Sequence, residues 1–178
     1  MANIIAFAGS NSSTSINHQL IQYTAGLVQD HKVRVLKMSD YPFPMFSEDL
    51  EREEGYLNSL IELKNDFLKA DALIISVNEH NGMVSAYFKN LVDWLSRIER
   101  KFLQGKKLLL MSTSGGKRGG ISALTYIKNA VPVFGGEVID AFSLPGFHQN
   151  FSKEEKRITH PALDAQLKDI VANFTRQI

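Results

Sequence analysis

Five short apolar runs punctuate the chain: Asn3–Ala8, Lys32–Lys37, Ala72–Val77, Lys107–Ser112 and Glu137–Leu144. Each has strand length and is rich in Ile, Val, Leu or Phe. The segments between them carry helical spacing instead. Ile16, Leu20, Tyr23, Thr24 and Leu27 share one face; so do Leu57, Leu60, Ile61, Phe67 and Leu68; so do Phe88, Leu91, Val92, Leu95 and Phe102. A less regular helix is expected from Ile121 to Val131, bounded by Gly120 and Pro132, and a last one along Leu163, Leu167, Ile170, Val171, Phe174 and Ile178. Strands that alternate with helices predict a parallel sheet with helices on both faces.

The strand patterns also predict an order. The first, third and fourth runs are continuously apolar, as expected of strands covered on both faces. The second, KVRVLK, alternates charged and apolar residues, and the fifth carries Glu137 and Asp140. Alternation marks the sheet edges, so the expected fold is α/β, a flavodoxin-like three-layer sandwich of order 2-1-3-4-5 formed as one domain over residues 1–178. In such sheets a ligand binds beyond the C-terminal strand ends, next to strand one. That directs attention to three loops: 9–15, 78–84 and 113–120.

The first loop reads GSNSSTSIN over residues 9–17, with five hydroxyl side chains and two Asn ahead of a helix. A helix N-terminus offers free N–H groups and the positive end of the dipole. Two readings fit: a phosphate cradle built without lysine, or a polar turn in which Ser13 or Ser15 caps the helix. The second loop, NEHNG at 78–82, contains an Asn81-Gly82 turn signal, beside which a flat ligand can stack and bond backbone amides; a plain polar turn fits as well. His80 is its one group titrating near neutral pH. The third loop, STSGGKRGG at 112–120, has four glycines that let backbone approach a ligand, and two charges, Lys117 and Arg118. A flexible solvated loop is the plain alternative. Together the three loops meet at one edge with the chemistry of a nucleotide site.

Other nucleotide motifs are absent. There is no G-x-x-x-x-G-K-[ST] and no G-x-G-x-x-G after the first strand, and that strand lacks the terminal acidic residues of a phosphoryl-accepting receiver. Composition narrows the field further. Twenty Lys+Arg against nineteen Asp+Glu leave a formal charge of +1, so no nucleic-acid partner is expected. The chain has no cysteine, which removes thiol catalysis, disulfide scaffolds, iron–sulfur clusters and Cys-type zinc sites. No apolar run approaches the roughly 18 residues of a membrane span, and the start lacks a basic leader, so no membrane association and a cytoplasmic location are expected.

The motifs, taken as a set, resemble those of the NADPH-dependent FMN reductase family, and the likeness covers nearly the whole chain. Gly9, Ser10, Ser15 and Asn17 match a G-S-x-R-x-x-S-x-N first loop, with Ser12 in the arginine position. Glu79, Asn81 and Gly82 match a P-E-Y-N-G second loop, with Asn78 and His80 replacing proline and tyrosine. Phe88-Lys89-Asn90-Leu91-Val92-Asp93-Trp94 matches the helix that follows, with Ser85 where a second proline is common; Ser114, Gly115, Gly116, Gly119 and Gly120 match the glycine-rich loop.

The resemblance implies non-covalent FMN, its phosphate at Ser10, Ser12, Ser15, Ile16 and Asn17, and its ring between Asn78, Glu79, His80, Asn81, Gly82 and Ser114, Gly115, Gly116. It implies a ping-pong reaction in which NADPH or NADH reduces the flavin and a small-molecule acceptor, such as a quinone, a free flavin or an azo compound, reoxidises it. No catalytic side chain and no metal are expected, because the cofactor carries the chemistry. His80 is a candidate to stack on the flavin edge or tune its reduction by protonation, and Lys117 and Arg118 are candidates for the nicotinamide substrate's phosphates. Serine in place of arginine predicts weaker FMN affinity. An electron carrier or sensor without NAD(P)H turnover is the alternative, disfavoured because +1 gives none of the acidic field of such carriers; a member that has lost its cofactor is a third. Finally, Tyr87, Leu91, Trp94 and Ile98 form a second apolar line on the third helix. It either packs on another subunit, in keeping with the homodimers or homotetramers the family implies, or is covered by residues 39–56.

Overall fold

A computed structural model describes all 178 residues. Its centre is a parallel sheet of β1 (Asn3–Ala8), β2 (Lys32–Leu36), β3 (Ala72–Val77), β6 (Lys107–Thr113) and β7 (Glu137–Leu144), in the order β2-β1-β3-β6-β7. That is the expected 2-1-3-4-5 sequence of main strands. All six residues of β3 are buried, as a central strand requires, whereas exposed and half-buried residues alternate along β2 up to Leu36. Two short hairpins lie outside the sheet: β4 (Glu79–His80) with β5 (Met83–Val84), and β8 (Phe151–Ser152) with β9 (Arg157–Ile158).

Seven helices complete the chain: α1 (Ile16–Leu27), α2 (Glu48–Glu54), α3 (Asn58–Lys69), α4 (Ala86–Ile98), α5 (Ile121–Ala130), α6 (Phe147–Asn150) and α7 (Pro161–Arg176). One sheet face packs Ile5, Phe7, Leu73 and Ile75 against α3, α4 and α5. The other packs Ile4, Ala6, Ile74 and Leu109 against α1 and α7. Strand alternation therefore feeds two cores, and each fully buried Leu, Ile or Phe contributes about 1.5–3 kcal/mol.

Two helix readings need correction. In α3 the buried residues are Leu60, Leu63 and Phe67, while Leu68 is exposed. Phe102 is buried, but not on α4: that helix stops at Ile98, and Phe102 packs on Phe134 from the following turn.

The second apolar line of α4 is covered by the chain itself. Trp94 Nε1 and Asn90 Nδ2 both donate to Pro44 O at 2.9 Å, and Phe46 N donates to Asn90 Oδ1 at 2.8 Å. Phe43 stacks on Tyr87, whose hydroxyl donates to the carbonyls of Met38 and Tyr41, and Phe46 meets Trp94 edge-on. Proline favours this extended, strap-like path because it cannot continue a helix. So residues 41–46 cover Tyr87 and Trp94 on this face.

Candidate functional site

The three loops lie together at the C-terminal edge of the sheet. The first leaves β1 under tight control. Gly9 N donates to Ser76 O at 2.9 Å, and Ser85 Oγ donates to Gly9 O at 2.9 Å. A Cβ on Gly9 would sit 2.4 Å from Phe88 Cδ2, so the close approach of the α4 N-terminus requires glycine here.

Beyond Gly9 the serines shape the turn. Ser12 N donates to Ser10 Oγ, Thr14 N to Ser12 Oγ and Ser15 N to Ser12 O. Ser15 is the N-cap of α1, its hydroxyl accepting from His18 N at 3.2 Å. The N–H groups of Asn11, Ser13, Ile16 and Asn17 make no bond within the protein. The two readings of this loop are thus compatible: one serine caps the helix, and the turn still presents unpartnered donors. No carboxylate lies between Gly9 and Asn17. A turn of main-chain donors and hydroxyls at a helix N-terminus fits a phosphate monoester.

Asn17 stands differently. Its side chain is buried, with Oδ1 accepting from Ser76 Oγ at 2.7 Å and Thr113 N at 3.0 Å, and Nδ2 donating to Thr113 O at 3.2 Å. It ties α1 to the ends of β3 and β6, and its main-chain N–H is left without a protein partner.

The second loop is the β4–β5 hairpin. Asn81 and Gly82 both adopt left-handed conformations, φ 52° and 78°, the requirement of a type I′ turn. Glu79 directs its carboxylate at the start of α5 and accepts from Ala123 N at 3.0 Å. It thereby caps α5, whose N-cap residue, Gly120, has no side chain to do so. Asn78 O accepts from Ser85 N, and Asn78 Nδ2 donates to His80 Nε2 at 3.1 Å. An amide nitrogen only donates, so His80 Nε2 is the acceptor. Asn78 Oδ1 is buried with no protein partner.

The third loop is braced from below. Ser112 Oγ and Ser143 Oγ both donate to Gly119 O, and Gly119 and Gly120 are left-handed. Ser114 Oγ accepts from Gly116 N at 3.3 Å, while Gly115 and Gly116 are exposed. Lys117 and Arg118 are exposed, and Arg118 donates to Ser122 Oγ.

Sequence reasoning passed over a fourth segment. Phe147 N donates to Ser114 O and Gly146 N to Gly116 O, which fastens the loop after β7 to the third loop. The exposed His148 ring lies 3.6 Å from the position a Gly115 Cβ would take. The signal was available in the topology, since Pro145–Asn150 follows the fifth main strand at the same edge.

Comparison with known proteins adds to this picture. Residues 2–149 match the NADPH-dependent FMN reductase family. The chain is 35% identical over 85 residues to a quinone reductase of Escherichia coli (strain K12), a stretch covering 48% of this chain and 45% of that one. It is 29% identical over 126 residues to an NADPH:quinone oxidoreductase of Arabidopsis thaliana, covering 68% and 63%. The matched part thus spans about half to two thirds of these relatives. Among solved structures, FerB of Paracoccus denitrificans, a flavoenzyme NAD(P)H:(acceptor) oxidoreductase, superposes with a TM-score of 0.80 at 22% identity over 99% of this chain and 96% of that one.

Proposed function

The chain belongs to the NADPH-dependent FMN reductase family, and we propose that it is an NAD(P)H-dependent FMN oxidoreductase that reduces a small acceptor of the quinone, flavin or azo class. The observation that carries this reading is the turn from Gly9 to Asn17, where unpartnered main-chain N–H groups and hydroxyls converge at the α1 N-terminus beside two exposed loops.

In this reading Ser10, Ser12, Ser15, Ile16 and Asn17 hold the FMN phosphate, Asn17 and Ile16 through main-chain N–H groups. The 78–82 hairpin and Ser114–Gly116 frame the flat ring, supported by Glu79 on α5 and by the bonds of Ser112 and Ser143 to Gly119. FMN held there would supply the redox chemistry, hydride transfer from NAD(P)H and electron transfer to a small acceptor. His80, bonded to Asn78 on the exposed hairpin, is in this reading the side chain at the ring edge. Lys117 and Arg118 offer positive charge to a phosphorylated substrate.

The test is an absorbance titration of the flavin-free protein with FMN, followed by NADPH under anaerobic conditions. The expected result is a perturbed flavin band near ~450 nm that bleaches on NADPH addition. A band that forms and does not bleach refutes the reductase reading in favour of a carrier; no band refutes flavin binding.

A further inference from the structure

A phosphate monoester brings a charge of about −1.5 to −2 at neutral pH. The first loop meets it with neutral groups only, for no Lys, Arg or His lies between Gly9 and Asn17. A positive charge stands directly after the neighbouring strand, β2. The register pairs Phe7 with Leu36, so Lys37 follows at the level of Ala8, one residue before the cradle begins. Lys37 keeps an extended backbone, so the side-chain alternation of β2 continues through it. Val33 and Val35 pack on the α1 side of the sheet and Leu36 on the other, which directs Lys37 toward α1.

A second observation agrees. His18 occupies the first turn of α1, its main-chain N–H bonded to the Ser15 cap. Burial and the Lys37 ammonium hold its imidazole below the ordinary histidine value, with Asp40 acting in the opposite sense. The Lys37 ammonium thus acts on a side chain in the first turn of α1. Its competing partner is weak: Asp40 Oδ1 is 3.8 Å away and both side chains are more than half exposed. Lys153 and Lys156 also lie near α1, lining a groove of about 390 Å³ with Gln19, Gln22, Tyr23 and Phe151, farther down the helix flank.

We infer that Lys37 is the counter-charge for the cofactor phosphate, a binding residue that directly follows β2 rather than one from the loop that cradles the group. The inference rests on the flavin reading above. Two consequences separate it from a general structural role. The effect of Lys37 is confined to the phosphorylated flavin, because riboflavin presents the same ring and ribityl chain without the charge. It is also opposed by Asp40, whose neutralisation frees the ammonium.

The experiment is a fluorescence titration of wild type, Lys37→Gln, Asp40→Asn and Lys153→Gln with FMN and with riboflavin. Lys37→Gln is expected to weaken FMN about tenfold, the scale of one charge-assisted phosphate contact, and to leave riboflavin unchanged. Asp40→Asn is expected to tighten FMN a few-fold, and Lys153→Gln to change neither. Adding Ser12→Arg to Lys37→Gln restores FMN affinity, since the charge returns from the loop side. Equal losses for both flavins, an unchanged FMN affinity in Lys37→Gln, or an FMN-specific loss in Lys153→Gln instead would overturn the assignment while leaving flavin binding intact. A wild-type protein that binds neither flavin overturns the flavin reading itself, and the assignment with it.

Discussion

Replacing Asn17 with leucine separates two accounts of one residue. By pattern Asn17 is a phosphate ligand; in the structure its side chain makes three hydrogen bonds, to Ser76 Oγ, Thr113 N and Thr113 O, at a point where Ser76 and Thr113 are at most 1% exposed. Each bond contributes about 1 kcal/mol net. The larger cost is what remains behind. The Thr113 N–H and the Ser76 hydroxyl lose an acceptor that water cannot replace, at about 1–3 kcal/mol for each orphaned group. Leucine returns part of this through apolar burial, about 1–2 kcal/mol. The net expectation for Asn17→Leu is a loss of about 3 kcal/mol in the flavin-free protein, read as a lower urea midpoint with an unchanged slope. FMN affinity falls only as far as the α1 turn loosens, because the donor at this position is the main-chain N–H. A variant as stable as wild type that binds FMN more than about tenfold more weakly refutes the reasoning, and returns the side chain to the phosphate.

Three further outcomes follow from the same geometry. Gly9→Ala places a Cβ 2.4 Å from Phe88 Cδ2, so it is expected to cost about 1–3 kcal/mol by overpacking, and an unchanged thermal midpoint refutes the close approach. Glu79→Ala removes the cap from α5, at about 1 kcal/mol, and hydrogen exchange should quicken at the Ala123 amide; unchanged exchange there means the carboxylate does not cap the helix. His18 has a lowered value in the folded state, so the unfolded chain binds its proton more readily and stability falls as pH drops through the ordinary value of 6.5. His18→Gln should flatten that part of the pH–stability curve, and an identical curve refutes the shift.

What was legible in the chain was local. Strands two and five betrayed their edge positions by alternation, and strand three its central position by continuous apolarity, because burial on one or two faces leaves a direct mark on residue type. Ser15 as cap and Asn81-Gly82 as turn are equally local, each resting on the backbone within a few residues. The contacts that escaped are long in sequence. Glu79 caps a helix 44 residues away, Asn17 bonds Thr113 across 96, and Trp94 donates to Pro44 across 50. No periodicity records such pairings. Leu68 and Phe102 were misplaced for a related reason: helical spacing names a face but not where tertiary packing takes over or where the helix stops.

The same distinction bears on how a motif residue works. Asn17 and Glu79 both match positions of the family pattern, and both have side chains committed to the scaffold, one between α1 and the strand ends, the other on α5. Gly9 matches too, and is required by the approach of Phe88. These letters describe the shape of the edge more than its contacts with a ligand. The donors that shape exposes are main-chain N–H groups, which no letter encodes and which survive changes of side chain. A cradle made this way tolerates Ser12, since its geometry does not depend on that side chain's charge. The charge itself is then free to come from any element that reaches the same turn, and Lys37, directly after the adjacent strand, is where the continued register puts one.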